Sequence, residues 1–418
     1  MLIGCIADDF TGATDLANML VQGGMRTLQT IGVAEAAPRD VDAIVVALKT
    51  RTIEPAEAVA QSRAALSWLR TNGAPQIYLK YSSTFDSTPR GNIGPVIDAL
   101  MDGLQTDFTI ACSAYPENGR TIYRGYLFVG DVLLSESGMK DHPLTPMTDA
   151  NLVRVLQAQS SRKVGQVKFD VVARGAEAIR ARIAELKREG IAIAIVDAVS
   201  DADLAAIGEA CEDLPLVTAG SGVGLGLALN ARAKGRLSHA ASASALPPIE
   251  GRAAVLSGSC SVATNAQVAE WLRSRPAYQI DPLSLAAGRP VVADALAWTA
   301  ERISAGAVLV YATSPPEEVK AIQVKLGSEA AGNLIEGAFA QIARGLVDLG
   351  VRKLVVAGGE TSGAVVQALG VRALRIGPQI DPGVPWTLAD GKPPIALALK
   401  SGNFGATNFF AKALEQIG

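Results

Sequence analysis

Residues Lys353 to Gly370 read KLVVAGGETSGAVVQALG. Leu354, Val355, Val356 and Ala357 form an apolar run long enough for a buried strand. Gly358 and Gly359 break the run, and Glu360, Thr361, Ser362 and Gly363 follow. Ala364, Val365, Ala368 and Leu369 then recur at helical spacing, with Gly370 where a helix C-cap is expected. The stretch reads as strand, glycine loop, helix. In that arrangement the free N–H groups of the first helical turn face the loop, and the helix dipole adds partial positive charge. Two glycines admit a ligand to bare backbone. Thr361 or Ser362 can donate to phosphate oxygens or cap the helix as an ordinary βα turn would require.

Recurrence separates the two readings. Ala253–Leu256 leads into Ser257-Gly258-Ser259-Cys260-Ser261 and a helix over 263–273. Ile395–Leu399 leads into Lys400-Ser401-Gly402-Asn403-Phe404-Gly405 and a closing helix over 408–414. Three such loops, with Ser257, Gly258, Ser259, Gly358, Gly359, Glu360, Thr361, Ser362, Gly402 and Gly405 as candidate nucleotide contacts, suggest a cradle of backbone amides. None matches GxxxxGK[ST], so this is not a P-loop protein. The run Gly220–Gly226, GSGVGLG, lacks the G-x-G-x-x-G spacing and reads as close packing or a cleft rim. It nevertheless keeps an NAD-linked dehydrogenase as a competing reading.

The N-terminal half alternates strand and helix. Strands are expected at Leu2–Ala7, Ile44–Leu48, Ile77–Lys80, Phe108–Cys112, Val167–Val172, Ile191–Val196 and Leu214–Thr218. Asn118-Gly119 is a hairpin signal, and 129–146 reads as a surface excursion. Alternation implies parallel sheets covered on both faces. The expected fold is therefore α/β, with two three-layer domains, mostly parallel sheets and a cleft between them. Residues 1–235 form the first domain, 251–418 the second, and the Ser/Ala/Pro-rich stretch 236–250 the linker.

Open α/β sheets bind ligands at the carboxyl ends of their strands. There stand Asp8 and Asp9, which can orient or deprotonate a hydroxyl or simply complement a helix dipole. Asp86, inside SSTFDST, is a third candidate base or an Asx-type cap. Arg51 and Lys80 offer cations for a small carboxylate, whereas Lys49 reads equally well as solvated surface charge. Thr11, Ser83, Thr84 and Ser87 supply hydroxyls. These residues favour a small, anionic, hydroxylated substrate.

The composition agrees. The chain has 418 residues, 49% hydrophobic and 19% charged, with net charge −3. Without a basic block, nucleic acid and anionic membranes are not expected partners. Cys5, Cys112, Cys211 and Cys260 are scattered, which fits a reduced, cytoplasmic setting and no zinc site. The first residues read as a buried strand rather than a signal peptide. His142 and His239 are the two histidines, so chemistry must lean on carboxylates, lysines and backbone donors.

The sequence resembles the four-carbon acid sugar kinases along essentially its whole length. The matching stretches are IADDFTGATDLA (6–17), LKTRT (48–52), KYSSTFDST (80–88), the run ENGRTIYRGYLFVGDVLLSESGMKDHPLTPM (117–147), VTAGSG (217–222), LSGSCSVATNAQV (256–268), VAGGETSGAVV (356–366), IGPQIDPGVPW (376–386) and LALKSGNFG (397–405). The resemblance implies an N-terminal sugar-acid domain and a C-terminal ATP domain. Its ATP contacts fall near Ser259, at Gly359, Glu360, Thr361 and Ser362, and at Gly405. It implies ATP with Mg²⁺, the metal ligands being left open, and also leaves open a homodimer. The branch signatures IADDFTGATD, SGSCS and LKSGNFG imply a 3-oxo acid phosphorylated on its C4 hydroxyl. D-threonate and D-erythronate are alternatives within the family, and a non-catalytic sugar-acid sensor is the alternative outside enzymes.

Overall fold

A computed structural model of the chain describes residues 1–35, 40–142, 144–237, 243–391 and 393–417. It divides into two compact units, Met1–Ser244 and Ala245–Gly418. His239 lies outside the described residues.

The first unit holds strands β1 (Ile3–Ala7), β2 (Thr27–Ile31), β3 (Ala43–Ala47), β4 (Gln76–Lys80), β5 (Thr109–Cys112), β6 (Arg120–Tyr123), β7 (Tyr126–Val129), β8 (Val132–Leu133), β9 (Val164–Val167), β10 (Ile193–Val196) and β11 (Leu216–Ala219). Its main sheet runs β2-β3-β1-β4-β11-β5-β10-β9, with parallel pairing between neighbours. β1, β3, β5, β10 and β11 are buried along their whole length, because helices cover both faces of the sheet. Strand order reverses around β1, which lies between β3 and β4. Ala7 is in register with both Ala47 and Lys80. Three loops therefore leave the sheet side by side at its carboxyl edge.

The second unit holds β12 (Arg252–Ser257), β13 (Ala277–Gln279), β14 (Val308–Tyr311), β15 (Val351–Ala357), β16 (Ala373–Asp381), β17 (Val384–Ala389) and β18 (Ile395–Lys400). The order is β13-β14-β12-β15-β18-β17-β16, parallel through β18 and antiparallel beyond it. Its core gathers Trp271, Trp386, Phe409 and Phe410 against β12, β15 and β18. The Trp386 indole N–H donates to the Ala413 carbonyl at 3.0 Å, which ties the closing helix Phe409–Ile417 to the sheet.

Several expectations change in detail. The strand expected over Val167–Val172 ends at Val167, and Phe169–Val172 is one helical turn. The buried Asp197 carboxylate accepts the Phe169 N–H at 2.9 Å and stops the extended run. Asn118-Gly119 closes a four-residue loop in which Tyr115 and Arg120 exchange both backbone hydrogen bonds, at 2.8 and 3.0 Å. The hairpin proper, β6–β7, turns at Arg124-Gly125, both with positive φ. Thr361 and Ser362 are not the cap of their helix. It begins at Gly359 behind Gly358, so both lie inside its first turn, buried.

Candidate functional site

At the first unit's carboxyl edge, Asp8 and Asp9 follow β1, Arg51 follows β3, and Lys80 ends β4. Arg51 donates to Asp8 through Nε (2.9 Å) and Nη2 (2.8 Å), and to Asp9 through Nη2 (2.7 Å). Its Nη1 lies 3.7 Å from Asp86. Asp9 caps the helix Phe10–Gln22, accepting from the Gly12 N–H (3.1 Å) and the Thr11 hydroxyl (3.0 Å), with Lys80 Nζ at 3.8 Å. The dipole-complementing role and the cluster role therefore coincide in one residue. Gly12 is required here. A Cβ at that position would stand 2.0 Å from Lys80 Nζ and 2.1 Å from the Asp9 carboxylate.

The loop after β4 is tied internally. Ser82 and Thr84 hydroxyls meet at 2.8 Å, and the Thr84 hydroxyl donates to Asp86 at 2.5 Å. Phe85, fully buried, holds φ +52° and packs edge-on to Tyr81, so strained backbone aims Asp86 toward Arg51. Ser83 is half-buried beside this chain, and Lys49 is exposed.

Charge balance separates the two neighbouring aspartates. Burial raises Asp8 above the usual carboxylate range, against the pull of Arg51. Burial acts on Asp9 too, but Arg51 and Lys80, helped by the Thr11 and Gly12 donors, bring it below that range. Burial works against the Arg51 charge, yet Asp8, Asp9 and Asp86 raise it well above its ordinary value. The cluster thus holds three carboxylates against two cations.

In the second unit Ser257, Ala357 and Lys400 are in register across β12, β15 and β18. The three glycine loops leave together and are stitched to one another. Gly258 and Ser259 N–H groups donate to the Ala357 carbonyl (3.0 and 3.1 Å), and the Gly358 N–H to Lys400 (2.8 Å). The Gly402 carbonyl accepts from Ser261 Oγ (2.6 Å), Thr264 Oγ1 (2.8 Å) and Lys400 Nζ (2.8 Å). Gln267 holds the carbonyls of Phe404, Gly405 and Ala406 at 2.9–3.1 Å. Ser257 is buried and pairs with Thr313 at 2.6 Å, so it serves the scaffold.

The glycines are close-approach positions. A Cβ on Gly258 would lie 2.3 Å from Thr361 Oγ1. One on Gly358, at φ +127°, would lie 2.9 Å from the same oxygen, and one on Gly402 2.8 Å from Ser259 Oγ. Gly405, at φ +83°, packs on Phe409. Gly359 and Glu360 are exposed at the helix start, while the buried Ser362 Oγ has no hydrogen-bond partner among the described residues. An orphaned hydroxyl, bare backbone and a helix N-terminus together fit a phosphate chain. Among the described residues no group of three or more acidic, histidine or cysteine side chains could hold a metal by itself. A magnesium ion carried on nucleotide phosphates needs only one or two protein oxygens, so the donor set is compatible with it.

Residue-by-residue reading missed Lys400, Thr264 and Gln267 as the clamps of the cradle. Lys400 carried a signal: like Lys80, it is the last residue of a buried strand. The glycines of GSGVGLG are spent on packing. Cβ atoms on Gly222, Gly224 and Gly226 would stand 2.7 Å from the Ala114 carbonyl, 2.5 Å from Leu16 and 2.1 Å from the Leu204 carbonyl. His142 makes a local contact with Thr145 (2.9 Å), and the four cysteines are free thiols. No described helix is long and apolar enough to cross a membrane.

Comparison with known proteins agrees with this division. Residues 3–227 match a sugar-binding N-terminal domain, and residues 254–410 a nucleotide-binding C-terminal domain. A 3-oxo-tetronate kinase of Burkholderia multivorans is 64% identical over 417 residues, covering 100% of this chain and 97% of that protein. A crystal structure of a Haemophilus influenzae protein superposes with a TM-score of 0.81 at 47% identity, covering 99% of this chain and 100% of that one. A Salmonella typhimurium structure described as a putative tRNA synthase gives 0.89 at 44% identity, with 99% of each chain covered.

Proposed function

Since the chain belongs to the four-carbon acid sugar kinase family, we propose that it transfers the γ-phosphoryl group of ATP to the C4 hydroxyl of 3-oxo-tetronate. The observation that carries this reading is the in-register exit of β12, β15 and β18, which gathers three glycine loops into one cradle. Relatives 62–64% identical over this whole chain, all 3-oxo-tetronate kinases, supply the substrate. Net charge −3 gives no support to a tRNA-directed role.

In this reading the second unit takes ATP. The N–H groups opening the helix Gly359–Ala368 face the phosphates, Ser259, Thr361 and Ser362 add hydroxyls, and Lys400 with Gln267 keeps the loops in place. Mg²⁺ carried on the phosphates would supply neutralisation of their charge. The first unit takes the sugar acid. The Asp8–Asp9 pair, held by Arg51 and Lys80, orients the attacking hydroxyl and accepts its proton, with Asp86 behind. A loose phosphoryl-transfer transition state asks for positioning more than for a strong base, which a fixed carboxylate such as Asp9 provides.

A coupled ADP-release assay across 3-oxo-tetronate, D-threonate, L-threonate and D-erythronate tests this. Highest kcat/KM on 3-oxo-tetronate is expected. A maximum on threonate or erythronate would keep the kinase and discard the substrate. Asp9→Asn should lower kcat by about 10²–10⁴-fold. Near-wild-type turnover in both Asp8→Asn and Asp9→Asn would move the role to Asp86.

A further inference from the structure

We infer that the acid end of the sugar acid is held by Arg120, on the loop that follows β5, and not by Arg51. This rests on the sugar-acid reading above. The starting point is that Arg51 is already occupied. Its fork is filled by Asp8 and Asp9, with Asp86 facing the remaining nitrogen. A substrate carboxylate could reach it only by displacing a better-placed one.

The same carboxyl edge continues past β4. Ala219 of β11 is in register with Lys80 on one side and Cys112 of β5 on the other. Behind β5 runs the tight loop 113–120. Ser113 Oγ, Tyr115 Oη, Asn118 Nδ2 and Arg120 Nε, all on this loop, are buried without a hydrogen-bond partner among the described residues. Asp15 Oδ1, from the helix that follows β1, is a further such atom by strict geometry, but it and the Tyr115 hydroxyl face and act on each other, so these two are each other's neighbours. The other Asp15 oxygen accepts from Ser221, the N-cap of the helix Gly222–Ala233 that follows β11. Ser113, Tyr115, Asp15 and Ser221 are 0 to 5% exposed. Buried polar atoms are normally paired, so Ser113 Oγ, Asn118 Nδ2 and Arg120 Nε left unpaired on one short loop, beside the Asp15–Tyr115 pair, mark a site built for a polar ligand.

Arg120 supplies the charge. Among the described residues it has no carboxylate within ion-pair distance, and its only side-chain hydrogen bond runs from Nη1 to the Asn118 carbonyl. The charges of Asp15 and Asp86 both act on it, which sets it next to the cluster that holds the reacting hydroxyl. A carboxylate at Arg120 Nε and Nη2 would gain two parallel charged hydrogen bonds. Ser113, Tyr115 and Asp15 Oδ1 then receive the oxygens on C2 and C3. A four-carbon chain anchored here presents its far end to Asp8 and Asp9.

The test compares 3-oxo-tetronate with L-erythrulose, a four-carbon ketose with no carboxylate, in the wild type, Arg120→Gln, Arg120→Lys and Tyr115→Phe. Arg120→Gln should raise KM for the acid roughly 10- to 100-fold, leave KM for ATP unchanged and abolish the preference for acid over ketose. Arg120→Lys should keep part of that preference. Tyr115→Phe removes a hydroxyl that faces Asp15 and the proposed ligand, so KM for the acid should rise while KM for ATP stays unchanged. An Arg120→Gln enzyme with the wild-type acid preference would overturn the inference. So would a Tyr115→Phe protein that keeps its KM for the acid. Calorimetric binding of D-erythronate, which needs no turnover, reads the site separately. Binding that Arg120→Gln abolishes upholds it even where no acid is phosphorylated, an outcome that counts against the kinase substrate instead. Equal affinity in the wild type and Arg120→Gln, or none in either, counts against the site.

Discussion

Lys80 and Lys400 each end a buried strand, yet their surroundings differ. Lys80 has the Asp9 carboxylate at 3.8 Å. Lys400 has only neutral acceptors, namely Thr264 Oγ1 and the carbonyls of Ser401 and Gly402, at 2.8–3.0 Å. Burial without a counter-charge brings Lys400 down to about 7 from its ordinary 10.5. The sign of the stability effect follows. Between those two values the unfolded chain holds a proton that the folded chain has released, so stability contributed at this site rises with pH across that window. Below about 7 the folded state carries the full cost of a buried ammonium. Lys400→Met should therefore be most favourable relative to wild type near pH 6 and lose that advantage toward pH 10. Calorimetric melting across the range checks this, and a difference independent of pH would refute the titration. The residue also shows what single positions conceal. A lysine closing an apolar strand is visible in sequence, but whether a carboxylate awaits it depends on a loop more than a hundred residues away.

Among elements, the strand–loop–helix unit carries the nucleotide reading, and its glycines make it testable. Gly358→Ala places a Cβ at φ +127° and 2.9 Å from Thr361 Oγ1, and should destabilise the protein by about 1–3 kcal/mol. Gly258→Ala meets the same oxygen at 2.3 Å without backbone strain. Adding Thr361→Ala should restore much of the stability lost in Gly258→Ala and little of that lost in Gly358→Ala. Denaturant melts of the singles and doubles measure the coupling, and equal rescue of both would argue against the geometry. The units that could be read in advance are those with apolar runs: β1, β3, β4, β5, β10, β11, β12, β14, β15 and β18. β2, reading TLQTI, was hidden because buried Gln29 and Thr30 replace apolar residues; Gln29 binds Thr14 at 2.8 Å and the Phe10 carbonyl at 3.3 Å. The β16–β17 hairpin was hidden by Gly377-Pro378 and Pro385, which sit at register shifts a sequence pattern does not announce. The acidic cluster was legible because its members follow recognisable strands. The Arg120 loop was not, because its meaning lies in bonds left unmade.

At the scale of the molecule, each unit builds its site in the same way, from three adjacent parallel strands that end level with one another. If the two ligands divide between the units as proposed, amide exchange should separate them. A nonhydrolysable ATP analogue should protect 258–261, 358–362 and 401–405, and D-erythronate should protect 8–12, 50–51 and 113–120. ATP protection confined to the first unit would reverse the assignment. Saturation at a hundred times Kd should add about 2.7 kcal/mol of stability. Level strand ends have a further consequence for how such a chain tolerates change in length. Within the crossovers, the exposed loops at 287–290 and 304–306 join elements without setting where the strands end, so residues can be gained or lost there at little cost. A single residue inserted inside β15 would instead move Gly358 out of step with Ser257 and Lys400 and turn every following side chain to the opposite face. Drift in length among descendants of this sequence should therefore collect in those crossover loops, while the distance from each strand to its loop stays fixed to the residue.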